Sequence, residues 1–338
     1  MSDVNRVYRL VTRPQGMVKD SDFALKEEPK PELQGDGQIL VRNLYLSVDP
    51  TQRGWLERDT YMPMIGLGEV MRAFGAGRVV ASRDPGFAPG DLVSGMVGWQ
   101  DHVVLPAKGP AAPSKLPPGV PVENALSLFG ITGLTAYFGL LDIGRPQEGD
   151  TVLVSGAAGA TGMAVGQIAK IKGCRVIGIA GGKEKTSWLT GELGFDAAID
   201  YKAEDVSARI KELAPRGVNV FFENVGGAIL EAGLDHLAQR ARVVLCGAIS
   251  GYNDSFSMQG PRNYMNLVLT RSRMEGFIII DYFDRVGEAM KDLGTWLQAG
   301  KIKDRIDIAE GLDQAPAALR RLFEGKNIGK QLVKIADA

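Results

Sequence analysis

The run Gly156-Ala-Ala-Gly-Ala-Thr-Gly162 follows an apolar stretch, Val152 to Val154, and precedes one with helical spacing that holds Val165, Ile168, Ala169 and Ile171. Glycines placed so do chemistry through the backbone: Gly159 lets amides at the positive end of a helix approach a pyrophosphate, and Gly162 lets that helix pack closely. The first glycine of the usual G-x-G-x-x-G pattern is Ala157 here. The string A-x-G-x-x-G is weak by itself, and its weight comes from the strand before it and the helix after it. A second strand, Arg175 to Ala180, closes on Gly181-Gly182-Lys183-Glu184-Lys185, where an enzyme selecting NAD places an acid against the ribose hydroxyls. Lysines there suit a phosphate, so the expected cofactor is NADP(H), with Lys185 as the main phosphate contact and Lys183 as a second. The plainer alternatives are a solvated helix start, with Glu184 still reaching the ribose.

The elements that must hold this turn follow a regular alternation from Asp150 onward. Strands are expected at 151–156, 175–180, 197–200, 219–224, 241–247 and 274–280 with helices between them, a doubly wound parallel sheet that binds ligands at its carboxyl edge. Before it, short apolar runs at 39–41, 44–48, 77–81, 91–97 and 102–105, split by glycine and proline turns, predict a strand-rich domain. A proline-crowded loop at 106–121 and helices at 122–140 join the two. The tail carries a helix near 313–323 and a strand at 330–335, too late for the parallel sheet. It is therefore placed back in the first domain, and the nucleotide domain becomes an insertion.

Composition narrows the chemistry. The 338 residues are 45% hydrophobic and 23% charged with a formal net charge of -1, so no basic surface points to nucleic acid. The first residues are polar and lack the apolar core of a signal, and no stretch approaches the ~18 apolar residues of a membrane span, so a cytoplasmic protein is expected. Two cysteines, Cys174 and Cys246, and two histidines, His102 and His236, are too few and too scattered for a structural zinc site. Both cysteines read as small buried residues, and neither histidine lies in a nucleophile-activating string.

Several further strings appear in a fixed order: Leu46-Ser-Val-Asp-Pro50 with Arg53, Gly90-Asp-Leu-Val93, Ala157 to Gly162 continuing through Gly166-Gln-Ile-Ala-Lys170, Leu193-Gly-Phe-Asp196 with Asp200-Tyr201, Phe221-Phe-Glu-Asn-Val-Gly-Gly227, Cys246-Gly-Ala-Ile-Ser-Gly-Tyr252 and Asn327-Ile-Gly-Lys330. Together they resemble the medium-chain dehydrogenase/reductases, and more narrowly the zinc-independent leukotriene/prostaglandin and curcumin double-bond reductases. The resemblance implies a Rossmann-type α/β domain (124–301) inserted in a GroES-like substrate domain (1–123 and 302–338), with no metal. It implies that Ala158, Gly159, Ala160, Thr161 and Gly162 hold the pyrophosphate, and that Lys185 and Tyr201 hold the adenosine phosphate end. Asn224 and the loop Cys246, Gly247, Ala248, Ile249, Ser250 and Tyr252 would meet the nicotinamide half, Phe277, Ile278 and Ile279 its edge, and Asn327 the cofactor from the tail. Tyr201 could instead only close a strand, and Asn224 only serve a turn.

The implied reaction is hydride transfer from NADPH to the β-carbon of a conjugated ketone or aldehyde, followed by protonation of the enolate. Tyr252 is the candidate donor to the enolate oxygen; its plainer role is a pocket wall. Arg53, Tyr61, Met62, Met64 and Tyr264 are the candidate substrate contacts, suited to a flat ligand, although core packing is the commoner fate of such side chains. Arg53 could also be an ion-pair partner. Where the family usually continues Tyr-Met-Arg after Ser-Val-Asp-Pro, this chain has Thr51-Gln52-Arg53, which removes an aromatic and a methionine. A quinone reductase of the same superfamily and a nucleotide-binding protein without turnover are the competing readings. A homodimer paired along 273–280 is expected by analogy, unless the Phe-Ile-Ile-Ile run there is simply buried.

Overall fold

A computed structural model describes residues 3–116, 119–254 and 260–337; Pro117 and Pro118 of the expected proline loop lie outside the described residues. The chain forms two compact units, 1–126 with 306–338, and 127–305. The first unit contains β1 (Val4–Leu10), β2 (Phe23–Pro29), β3 (Gln38–Ser47), helix α1 (Gln52–Trp55), β4 (Phe74–Ser82), β5 (Leu92–Met96), β6 (His102–Pro106), β7 (Ser114–Lys115) and helix α2 (Val122–Leu126). The second contains α3 (Ile131–Phe138), β8 (Thr151–Val154), α4 (Ala160–Ile171), β9 (Arg175–Ala180), α5 (Lys183–Gly191), β10 (Ala197–Asp200), α6 (Val206–Leu213), β11 (Val218–Glu223), α7 (Gly227–Leu234), β12 (Leu237–Leu245), α8 (Asn266–Thr270), β13 (Arg273–Gly276) and α9 (Val286–Gln298). The chain then returns to the first unit with β14 (Ile306–Glu310), α10 (Ala315–Phe323) and β15 (Lys330–Lys334).

In the second unit six parallel strands run in the order β10-β9-β8-β11-β12-β13. Their central members are apolar on both faces, as a sheet covered by helices on each side requires: Val152, Leu153, Val154, Val220, Phe221 and Phe222 are all fully buried. The strand expected at 274–280 stops at Gly276 and is followed by a short 3-10 helix, Ile279–Arg285. Phe277 turns inward instead, its ring against Phe222 and so close to Gly139 that a Cβ there would lie 2.4 Å away. Phe277, Ile278 and Ile279 are half-buried and Ile280 is 41% exposed.

The first unit is built on a sheet in the order β14-β15-β3-β4-β5-β7, with β6 also on β3. The runs at 39–41 and 44–48 are joined in one strand, which places Ile39, Val41 and Leu46 in one apolar cluster and Leu44 and Tyr45 in another. β1, β2 and β14 have no counterpart in the sequence reading. β15 pairs antiparallel with β3, and behind it the buried Lys330 donates through Nζ to Val48 O (3.2 Å) and to the Asp49 carboxylate. That pair ties the Asn327-Ile-Gly-Lys330 string to Ser47-Val-Asp-Pro50, a structural duty for two motifs. No helix among the described residues is long and apolar enough to cross a membrane.

Candidate active site

The glycine turn joins β8 to α4. Gly156 sits at φ 58°, where a side chain is disfavoured, and a Cβ on Gly162 would stand 2.4 Å from Gly156 O and 2.7 Å from the Ala157 Cα. The first turn of α4 therefore lies directly on the turn backbone. Its N-cap, Gly159, offers no side chain to the leading amides, which remain donors for an anion at the positive end of the helix.

At the next strand, Ala180 ends β9 without an acid. Asp200, paired with Ala180 across the sheet, is occupied by backbone: Gly182 N–H (2.8 Å) and Lys202 N–H (3.0 Å) both donate to its Oδ1. A Cβ on Gly181 would lie 2.8 Å from the Tyr201 ring and 2.9 Å from Lys202 Cε, so both side chains lie across Gly181. Lys183 and Lys185 occupy the first turn of α5, while Glu184 faces Arg305 at 3.6 Å. Lys202 was missed from sequence. The signal that finds it is the β9–β10 register, in which Asp200 pairs with Ala180.

A cavity of about 730 Å³ opens at the carboxyl ends of β11, β12 and β13. Cys246, Gly247, Ala248, Tyr252, Phe277 and Ile278 line it, together with Glu223, Glu231 and Asp281; none of its lining residues among those described is basic. Charge is thus divided along the carboxyl edge, with lysines following β9 and β10, and acids and a thiol at β11 to β13. Cys246 lines the cavity and is only partly buried, which corrects its reading as a core residue. Burial nonetheless pushes its thiol up to about 12, with the Glu223 carboxylate adding to the shift. Cys174 is buried at the turn between α4 and β9.

Asn224 is more than a turn residue. Its N–H donates to Ser155 Oγ (2.8 Å) and its Nδ2 to Ser155 O (2.7 Å), locking the ends of β8 and β11 together. The loop 246–252 hangs from the same segment, and the Tyr252 hydroxyl accepts Ala248 N–H at 3.2 Å. Ile249 and Ser250 open a 3-10 turn there. Ile279 is not among the residues lining the cavity. Asn327, in the first unit, donates through Nδ2 to Gly329 O (3.0 Å) within its own turn.

Among the substrate candidates, Arg53 takes its other reading, an ion-pair partner. It is fully buried, donating to Glu57 (2.9 Å), Gly16 O and Pro14 O, and cannot touch a substrate. Gln52, at the family's methionine position, is also fully buried and donates to Ser47 O (3.1 Å). Thr51 is hydrogen-bonded hydroxyl to hydroxyl with Tyr61 (2.7 Å), and Met62 packs on the core of its unit. Tyr61, Met64 and, in the second unit, Tyr264 are exposed. Among the described residues no group of His, Cys, Asp or Glu is arranged to hold a metal ion; His102 is buried on β6, and His236 pairs with the Ser207 hydroxyl (2.8 Å).

Two family models match the chain: an N-terminal domain of oxidoreductase over residues 6–112 and a zinc-binding dehydrogenase over 160–295. The NADPH-dependent curcumin reductase of Escherichia coli (strain K12) is 39% identical, with 98% of this chain and 97% of that protein covered. The NADP(+)-dependent 2-alkenal reductase of Nicotiana tabacum is 38% identical over 95% and 94%. The crystal structure of CurA from Vibrio vulnificus in complex with NADPH superimposes with a TM-score of 0.92 at 39% identity, covering 98% of this chain and all of that one (100%).

Proposed function

The chain belongs to the zinc-independent branch of the medium-chain dehydrogenase/reductases, and from that premise we propose that it reduces the carbon–carbon double bond of α,β-unsaturated ketones or aldehydes. It is an NADP-dependent oxidoreductase, with NADP(H) as its cofactor. When bound, NADPH supplies the hydride from nicotinamide C4. The work of the protein is placement and charge. Residues Ala158 to Gly162 present amides to the pyrophosphate, while Lys185, Lys183, Lys202 and Tyr201 surround the adenosine phosphate. Asn224 and the loop from Cys246 to Tyr252 shape the nicotinamide end, with Phe277 and Ile278 as its wall.

Tyr252 then donates to the substrate oxygen, which gains charge as the β-carbon accepts hydride. A phenol oxygen that accepts Ala248 N–H still carries its own proton. The observation that carries the reading is this phenol on the wall of a cavity whose lining contains no cation among the described residues.

The test is NADPH oxidation with a phenyl-conjugated enone, a 2-alkenal and a benzoquinone, each repeated with NADH and with a chelator. Turnover of the enone and alkenal with NADPH, unaffected by chelator, is expected. Lys185→Ala should raise the KM for NADPH about tenfold and leave that for NADH unchanged. Activity confined to the quinone would replace the reading.

We also propose a homodimer formed along β13, the last strand of its sheet. Val268 and Leu269, in the helix leading into it, are 62% and 67% exposed, and an edge unpaired among the described residues beside apolar side chains favours a second copy. Light scattering should give twice the chain mass, and Leu269→Glu should give the monomer. A monomeric parent chain would dismiss the proposal.

A further inference from the structure

Glu223 ends β11 with its side chain fully buried, and nothing in the reaction above employs it. Its Oε1 accepts Val225 N–H (2.6 Å) and Gly226 N–H, bending the chain into a turn that Gly226 (φ 79°) and Gly227 (φ 55°) then complete. The carbonyls of the same segment hold the loop. Glu223 O accepts Cys246 N–H (2.9 Å) and Gly247 N–H (3.2 Å), Asn224 O accepts Ile249 N–H (3.1 Å), and Val225 O accepts Ser250 N–H (3.0 Å) and the Ser250 hydroxyl (2.6 Å). The loop is thus suspended from three consecutive carbonyls whose orientation is set by one carboxylate.

We infer that Glu223 is a positioning residue for the reaction: its buried carboxylate braces the Asn224–Gly226 turn and thereby fixes the loop that carries the Tyr252 hydroxyl. The inference rests on the reading of Tyr252 given above. The ionised carboxylate is the better acceptor for two amides, so the brace is tightest when Glu223 is charged. Burial pushes this carboxyl up to about 7, against the opposing pull of the Gly226 amide, the Ser155 hydroxyl and the Val225 amide. The titratable groups sharing its cavity are the Cys246 thiol at the end of β12, Glu231 on α7, Asp281 and Tyr252, none of them cationic. The other buried oxygen, Oε2, has no hydrogen-bond partner among the described residues.

The experiment uses the full chain, with Glu223→Gln as the isosteric variant and Glu223→Asp, which withdraws the oxygen, if the first does not accumulate. Three readouts are taken: hydrogen exchange of peptides spanning 246–254, kcat and KM for an enone, and kcat against pH. Loop exchange is expected to rise about tenfold in the variant while a peptide over 160–171 is unchanged. The kcat is expected to fall about tenfold with KM within about twofold. In the parent chain kcat declines as pH drops through about 7, and the Gln variant lacks that inflection.

Global stability moves the other way. A carboxyl raised in the folded state contributes stability that is complete below the ordinary glutamate range and lost as pH rises through about 7. Melting curves against pH therefore separate the brace from a simple effect on folding. Unchanged loop exchange, or a Gln variant keeping both the parental kcat and its pH profile, overturns the inference. If Tyr252→Phe is fully active the reading of Tyr252 fails, and loop exchange alone then decides whether Glu223 is a brace.

Discussion

Replacing Tyr252 with phenylalanine is expected to lower kcat for an enone about 10²-fold, because one preorganised donor to the developing oxyanion is lost. The phenol is held in place by accepting Ala248 N–H, within a loop whose other backbone bonds do not involve its side chain. The substitution therefore removes one hydroxyl and one acceptor while the turn at Asn224 to Gly226 keeps the loop suspended. NADPH affinity, measured by fluorescence titration, should change by less than about threefold, since the amides of α4 and the lysines near Gly181 are untouched. Single-turnover oxidation at saturating NADPH isolates the chemical step. A variant with parental kcat and a raised KM would make Tyr252 a wall of the cavity, and another group would have to meet the oxygen.

The second large effect is expected at Gly162. An added Cβ would stand 2.4 Å from Gly156 O and 2.7 Å from the Ala157 Cα, and both neighbours are backbone that no rotamer change can move. Gly162→Ala must therefore shift the start of α4 by about 1 Å relative to the turn. Overpacking of this kind costs about 1–3 kcal/mol of stability. The functional cost is larger, because the amides meant for the pyrophosphate are displaced: NADPH should bind about 10²-fold more weakly. Gly191, around which a Cβ would find open space, is the control, and Gly191→Ala should leave affinity unchanged. Isothermal titration on both variants decides it. Parental affinity in Gly162→Ala would mean that the turn yields without disturbing the anion site.

These two residues also mark what each level of description could know. Gly162 was legible because its role is local: the strand, turn and helix around it lie within twenty residues and announce themselves by period and by glycine spacing. The missing acid after β9 was legible for the same reason, and the lysines of α5 with it. Arg53 was not. It stands among motif residues, yet Gly16 O, Pro14 O and Glu57 enclose it, and burial depends on neighbours distant in the chain that no local pattern reports. Lys202 came into view only when β10 was laid beside β9, and the end of β13 only when Phe277 met Gly139. Glu223 is the sharpest case. In the sequence it is one acid between Phe222 and Asn224; in the fold its carboxylate is shut away from water and holds the amides of Val225 and Gly226. The sequence by itself determined which backbone turns form and what charge flanks them, because those depend on residues next to one another. Only the tertiary structure decided which polar side chains are buried, since that is settled by the solvent that packing removes.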